Sequence, residues 1–475
     1  MEAILDGINR VVWGIPALVL ILGVGLYLTV RTGFVQLRLF PDAIRSFWKM
    51  LRGHQGESSF RSLCTALGAT VGTGNLVGVA GAICLGGPGS IFWMWICGFL
   101  GMATKYAEAV LAVRYRVREN GIYWGGPMYI ITRGMGEKWQ WLAKLYCFFG
   151  VVAAFGVGNA TQINAVTGAI HSITGDFGKS GDLLLGMILA LLVGHLLRGG
   201  AKRIGMAAQR LVPLAAGGYI LLCLIVLWLR QDRIGEAFSL IFHGAFSPRA
   251  VTGGVLGSAY GAMRTGCARG VFTNEAGMGT AGIAHAGAEV NHPAQQGLMG
   301  ILEVFLDTIV ICTLTALVIL CSGAEISYGV DGGGALTSDA FSSVCGPWVR
   351  VFLAGSICCF AFATVLGWGF YGLRCAAFLL GNGSERGFIL LQMGAALLGA
   401  AGKTGMIWNL AETVNGLMAI PNLMALLALS GETVRLTREY GKTEQKRRLS
   451  EAKTCAIMDR NMCEGALTDE MVQKT

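Results

Sequence analysis

The sequence predicts an all-α, polytopic membrane protein, and three observations predict it. Of 475 residues, 54% are hydrophobic and only 14% charged, against about 25% charged in an average soluble domain. Mean hydropathy is +0.58, carried by repeated apolar stretches near the roughly 20 residues a helix needs to cross a bilayer. Glycine is dense inside those stretches, with 71 residues, near twice the usual share of about 7%. Closely packed membrane helices use glycine in this way. The same counts exclude a water-soluble enzyme. With no G-X-Y period and only 9 prolines, they also exclude collagen and Pro-rich disorder.

Apolar runs define eleven spans, at 11–30, 63–86, 88–113, 141–170, 182–197, 209–229, 251–284, 296–322, 346–373, 386–401 and 404–430. Sorting the loops alternately to two sides puts 28 Lys and Arg on one side and six on the other, which sets the N-terminus outside and the C-terminus in the cytoplasm. The inner count includes Arg264 and Arg269. The net charge of +9 therefore reads as topology and not as a nucleic-acid partner. The N-terminal apolar run follows two acids and lacks a cleavage site, so it reads as a retained first span. Val35 to Phe60 spaces Leu39, Phe40, Ile44, Phe47, Trp48 and Leu51 like an amphipathic helix with basic residues between, suited to the inner membrane surface. The tail from Gly431 is polar and highly charged, and reads as a solvated or disordered extension. The 14 cysteines include no CxxC pair, and no His stands at metal-ligand spacing, so most cysteines read as small buried hydrophobes.

Two spans carry the chemistry. The second reads TALGATVGTGNLVGVAGAICLGG, with Gly68, Gly72, Gly74 and Gly78 around Thr70, Thr73 and Asn75. Each glycine costs a helix about 1 kcal/mol relative to Ala, so an unwound stretch at membrane depth is expected. Unwinding is tolerated there only around a protein-lined cavity, where freed N–H groups grip a carboxylate and freed carbonyls ligate a cation. The competing reading is a close-packing surface of small residues. The seventh span, GSAYGAMRTGCARGVFTNEAGMGTAGIAHAG, repeats the pattern, with Thr273, Asn274 and Glu275 at the apparent break. Two interrupted segments five spans apart are the mark of an inverted repeat. The domains are then an extra N-terminal helix (1–30), an amphipathic linker (31–62), five-helix repeats at 63–230 and 250–430, and a cytoplasmic tail (431–475). The string Gly72-Thr-Gly74-Asn is no dinucleotide fingerprint, since its third glycine falls one place late and no βαβ pattern follows.

Charges inside spans are functional candidates by default. Lys105 and Glu108 stand three apart and can pair on one helix face. Glu303 and Asp307 are like charges four apart, which is costly in low dielectric. One is then protonated, or pairs with Arg264 or Arg269, or the two form a proton relay. Glu275 can cap freed N–H groups or support a gate, and Glu412 can line the cavity or satisfy Asn409 or Asn415. Phe92-Trp93-Met94-Trp95 reads as an interfacial belt, and His285 and His292 suggest no metal centre. No nucleophile with an activating base is present, so a membrane enzyme is excluded. A channel would need repeated polar pore-lining positions.

At its two interrupted segments the chain closely resembles the alanine or glycine:cation symporter family, itself similar in fold to the bacterial leucine transporter. The matching stretches are ATVGTGNLVGVAGAICLGGPGSIFWMW, GMATKYAEAVLAVRYR, GGPMY, GNATQIN, RGVFTNEAGMGTAGIAHA, FLDTIVICTLTALVIL, TVLGWGFYG and NGLMAIPN. They spread over about residues 10 to 430. The resemblance implies a 5+5 inverted repeat with broken helices, in the cell inner membrane, taking up small neutral amino acids, chiefly alanine and glycine, with Na⁺ or in some members H⁺. It implies substrate contacts at Thr70, Gly72, Thr73, Gly74, Gln162, Cys267, Ala268 and Trp368. It implies sodium ligands at Gly68, Val71 and Thr364. Asn75, Arg269, Asn274 and Glu275 read as gate or structural support, and Arg264 and Arg269 either contact the substrate carboxylate or, from their place on the cytoplasmic side, form an inner gate. The chain departs from the pattern at Ala363, Ala268 and Leu373, where Ser or Thr, Lys, and Glu are usual. The first and third put ion coupling in question, so a proton-coupled or uncoupled carrier is the alternative.

Overall fold

The computed structural model describes residues 14–52, 57–246, 259–330, 333–402 and 405–446. The chain is mostly helical. In order, its helices are α1 (Ile15–Arg31), α2 (Phe40–Leu51), α3 (Glu57–Thr70), α4 (Val79–Gly86), α5 (Ser90–Tyr115), α6 (Gln140–Phe155), α7 (Thr161–Thr174), α8 (Gly178–Leu197), α9 (Gly200–Leu229) and α10 (Ile234–Phe246). They continue as α11 (Ala259–Asn274), α12 (Thr280–His285), α13 (Pro293–Val304), α14 (Thr313–Ser322), α15 (Gly333–Cys345), α16 (Val349–Leu380), α17 (Glu385–Ala401), α18 (Gly405–Ala428) and α19 (Ser430–Lys446). Among the described residues the one sheet is a hairpin of β1 (Val117–Glu119) and β2 (Ile122–Trp124).

Local chemistry sets several boundaries. Pro16 stands in the first turn of α1, where a missing N–H leaves no bond unmade. That helix stops at Thr32, whose hydroxyl turns back to donate to the Leu28 carbonyl at 2.7 Å. Pro293 opens α13 behind a capping box in which the His292 ring accepts from Ala294 N–H and Gln295 answers the His292 backbone, satisfying two orphan donors.

Among the described residues, six continuous helical stretches are long and apolar enough to cross a membrane, or eight if each of two bent pairs is one span. α5 is the central element, since 83% of its most apolar window is buried, against 28% for α8 and 33% for α9. α8 and α9 leave Leu184, Leu191, Leu214, Leu221 and Trp228 exposed, the outward face expected of helices meeting lipid tails. Around α5 the small residues bring backbones together. A Cβ on Gly297 would meet Tyr106 at 2.7 Å, and one on Gly300 would meet the Lys105 carbonyl oxygen at 2.8 Å. Close packing is therefore what these glycines do.

Three expectations change. Arg264 and Arg269 lie in α11, whose Thr265 and Gly266 pack on Gly86 and Ser90 at the turn between α4 and α5. In the loop assignment used for the count that turn lies on the opposite side from the loops with which the two arginines were counted, and the Lys and Arg excess survives without them. The segment from Gly431 is no disordered extension as far as Lys446. It forms α19, bent 60° from the preceding helix, with the Thr437 and Tyr106 hydroxyls bonded at 3.0 Å and Tyr440 against His292. Charged composition hid a buried face of Val434, Leu436 and Thr437. The amphipathic segment does form α2, yet Phe40 packs edge-on against Phe305 at 4.8 Å, so it is partly seated on protein. Residues 1–13, 53–56, 247–258 and 447–475 lie outside the described residues, as does the side chain of Glu412.

Candidate functional site

The second span is interrupted where its glycines concentrate. α3 ends at Thr70, a π-helical turn begins at Gly74, and the segments Ser58–Thr70 and Gly74–Gly86 bend by 50°. A break at this depth frees peptide groups that must find partners. The Gly72 N–H donates to Asn75 Oδ1 at 2.9 Å. Asn75, fully buried, donates in turn to Asp307 Oδ1 at 2.7 Å and to the Asp307 carbonyl at 3.2 Å. The Gly68 carbonyl accepts from the Thr364 hydroxyl at 3.0 Å, and the Thr73 hydroxyl donates to Gln162 Oε1 at 3.3 Å. Gly72 tolerates no side chain, because a Cβ there would stand 2.8 Å from Thr364 Oγ1 and 4.0 Å from Gln162 Oε1. One on Gly74 would stand 3.1 Å from Thr273 Cγ2, so the two interrupted elements meet at that point.

The second break runs from Glu275 to Gly279. Glu275, Gly277 and Gly279 all take positive φ, at 52°, 98° and 78°, a conformation glycine adopts without a Cβ penalty. Carboxylates hold this break. Glu108 Oε1 accepts from Gly277 N–H at 2.9 Å, Gly279 N–H at 3.1 Å and Asn422 Nδ2 at 2.8 Å. Glu275 accepts from the Thr280 hydroxyl at 2.6 Å and from Trp368 Nε1 at 2.9 Å. Asn274 accepts from Ala276 N–H at 2.9 Å and donates to Thr308 at 3.2 Å.

Of the residues singled out from sequence, Gly68, Gly72, Thr73, Gln162 and Thr364 are brought together directly. Thr70 and Val71 are buried beside them in the chain. Trp368 joins through the π-helical turn Gly156–Ala160, since a Cβ on Gly158 would lie 2.3 Å from the Trp368 Cβ. The Ala363 methyl faces Gly68, 3.5 Å from where a Cβ there would stand. Cys267 and Ala268 are not at the break. They sit in regular helix about two turns earlier, with the Cys267 thiol toward the Trp93 carbonyl at 4.0 Å. Arg269 shares that helix, in the half nearer the break.

Sequence reasoning mispaired one charge cluster. Lys105 does not pair with Glu108 but with Glu303 at 3.1 Å. His285 Nε2 lies 2.9 Å from the other Glu303 oxygen, Gln296 donates to His285 Nδ1 at 2.7 Å, and the Ser59 hydroxyl donates to Gln296. All five side chains are buried. Asp307 is separate, taken by Asn75 and by the Thr308 hydroxyl at 2.8 Å. The four-residue spacing of Glu303 and Asp307 carries no trace of Lys105, His285 or Asn75, which come from other elements.

Two buried interruptions facing each other, one ringed by uncharged oxygens, fit a membrane carrier of a small polar solute. The sequence pattern of the sodium:alanine symporter family matches residues 1–454. The chain belongs to that family. It is 42% identical to the sodium/alanine symporter AgcS of Methanococcus maripaludis over 451 residues, 93% of this chain and 97% of the relative. It is 34% identical to the amino-acid carrier protein AlsT of Bacillus subtilis, covering 90% of each. The crystal structure of MhsT in complex with L-phenylalanine resembles the fold with a TM-score of 0.56 at 13% identity, over 79% of this chain and 97% of that one. At that identity the likeness is one of fold, of the leucine-transporter kind. The family's members are transporters and not enzymes, and this chain is a multi-pass membrane transporter whose family couples amino-acid movement to sodium.

Proposed function

We propose that this chain imports small neutral amino acids, alanine and glycine above all, together with Na⁺ by alternating access. One observation carries the reading: the Thr364 hydroxyl and Gly68 carbonyl, 3.0 Å apart, lie against Gly72 beside Gln162. Oxygen ligands without full charge suit a hard, singly charged cation. The same broken loop then serves ion and solute, so each tightens the other's binding.

In this reading Gly68, Val71 and Thr364 hold Na⁺. Thr73 and Gly74 receive the α-carboxylate through their peptide groups, while Asn75 occupies the Gly72 amide and fixes the loop. Thr70 and Gln162 receive the ammonium, Gly72 keeps the approach open, and Trp368, oriented by Glu275, limits the side chain to a small one. Asn274 stays as support, whereas Cys267, Ala268 and Arg269 have no part in it. The eleven spans, with α3–α4 and α11–α12 at matching places in two five-span repeats, are proposed with the N-terminus outside and the C-terminus in the cytoplasm.

A second reading, proton-coupled or uncoupled carriage, rests on Ala363, which presents a methyl to Gly68 where a hydroxyl is usual. Alanine uptake into proteoliposomes under an imposed Na⁺ or pH gradient separates the two. Accumulation driven by Na⁺ alone supports the first reading, and accumulation driven only by the pH gradient, or by neither, supports the second.

A further inference from the structure

Away from the two breaks, the corner between α7 and α8, on the side assigned outside, gathers a different set of ligating groups. His171 stands in the last turn of α7, Asp176 in the connection and Asp182 in the second turn of α8. One ligand atom from each, an imidazole nitrogen and two carboxylate oxygens, lies within 4.8 Å of the other two, and His171 Nε2 is 2.7 Å from Asp182 Oδ1. We propose that His171, Asp176 and Asp182 form a Zn²⁺ site. Sequence spacing hides the set, since the three residues stand five and six apart and only the turn between the helices brings them together.

The donor set selects the ion. An imidazole with two carboxylates suits zinc, whereas Ca²⁺ and Mg²⁺ look for about six or more oxygens. Three protein ligands leave a further position for water, as in open zinc sites, and the two carboxylates cancel the charge of the ion. At bonds of about 2.0–2.2 Å the ligand atoms of a tetrahedral site stand about 3.4 Å apart, so side-chain shifts of about 1 Å close the site. The corner is also held in shape before any ion arrives. Gly175 and Gly178 take φ of 82° and 69°, the Gly178 N–H donates to Asp176 Oδ1 at 2.7 Å, and the Phe177 ring stands edge-on to the His171 ring at 5.4 Å. Both helices are seated on α17. Asn164 of α7 donates to the Gly399 carbonyl at 3.3 Å, and a Cβ on Gly186 of α8 would stand 2.6 Å from the Ala400 Cβ. Binding therefore costs little ordering entropy. Gln162, nine residues before His171 on the same helix, bonds the Thr73 hydroxyl, so the ion braces a helix that reaches the first break.

The test uses the full-length protein without a polyhistidine tag, stripped with EDTA, desalted, and titrated with Zn²⁺ against a chromogenic chelator in a buffer containing Mg²⁺. Wild type takes up one Zn²⁺ per chain at micromolar free metal, and its melting temperature rises as it does so. Loss of an outer-shell partner already weakens a metal site roughly 10- to 100-fold, so His171→Ala and Asp182→Asn each weaken Zn²⁺ about 100-fold or more, and Asp176→Asn at least about tenfold. In EDTA the three variants melt near wild type, and Zn²⁺ no longer raises their melting temperature. Co²⁺ in place of Zn²⁺ gives visible d–d bands in wild type without thiolate charge transfer. No uptake by wild type, or equal uptake by wild type and all three variants, overturns the site. Thiolate bands would place the ion on cysteine and overturn it whether or not a variant folds.

Discussion

The break at Val71 to Thr73 and the break at Glu275 to Gly279 both expose peptide groups at membrane depth, and they satisfy them with opposite chemistry. The first uses neutral partners: the Asn75 amide on Gly72, the Thr364 hydroxyl on Gly68, and Gln162 on Thr73. The second uses carboxylates, Glu108 on two glycine amides and Glu275 on Thr280 and Trp368. Glu108 gathers three donors and Glu275 two, from different elements, so the second break is held by the protein's own fixed side chains. The first offers only neutral partners, and in the proposed reading its charge comes from a cation and a zwitterion. The lesson is a division of labour, with a scaffold break that sets geometry and a ligand break whose stability depends on what it holds.

If that division is right, the largest effect on folding falls near the second break. Lys105→Met strands Glu303 beside α12, and breaking a buried ion pair from one side costs about 3–5 kcal/mol. Lys105→Met/Glu303→Met removes both charges and regains most of that loss, read as the melting temperature in detergent. A single variant as stable as the double one breaks the comparison. Next comes the ligand break. Gly72→Ala introduces a Cβ 2.8 Å from Thr364 Oγ1, and overpacking of about 1–3 kcal/mol displaces that hydroxyl and lowers alanine affinity about 10- to 100-fold, with a smaller melting loss than Lys105→Met. A melting loss without an affinity loss would reverse the roles of the two breaks.

How much of this was legible in the sequence follows from how local each signal is. Both breaks could be read, because glycine density and the polar trio at Thr273 to Glu275 lie within single segments. Asn75 was found as a support for the same reason, though not its partner Asp307, 232 positions away. The Lys105–Glu303 pair was misread because helical spacing offers Glu108 as the nearer choice, and only the three-dimensional packing of α5 on α13 decides between them. The placement of Arg264 and Arg269 failed because counting charge by loop ignores arginines that sit inside a span. α19 was missed since its buried Thr433 and Thr437 are polar residues on a face that composition reads as solvated.

Two smaller effects sharpen the comparison further. Trp368→Phe removes the bond to Glu275, a side-chain link from the scaffold break to the proposed pocket wall. It costs about 1 kcal/mol, seen as about a fivefold loss of alanine affinity, and no loss means that Glu275 does not orient the wall. The smallest effect belongs to Glu432, remote from both breaks. Its carboxyl is held below the ordinary value of 4.5 by hydrogen bonds from Arg435 and then Arg114. Its contribution is complete above that ordinary value and is lost as pH falls through the lower folded one. Glu432→Gln costs less than about 1 kcal/mol in melting above pH 5 and leaves alanine affinity unchanged. An altered affinity would extend the ligand-responsive region to α19.

The most direct measurement is the dissociation constant of alanine for the purified protein across a Na⁺ titration, with choline holding ionic strength constant. A shared ion and solute loop predicts affinity that rises steadily with Na⁺ in wild type and a flattened response in Thr364→Ala. Equal affinity in Na⁺ and in choline would contradict it, leaving the first break with no cation to complete it.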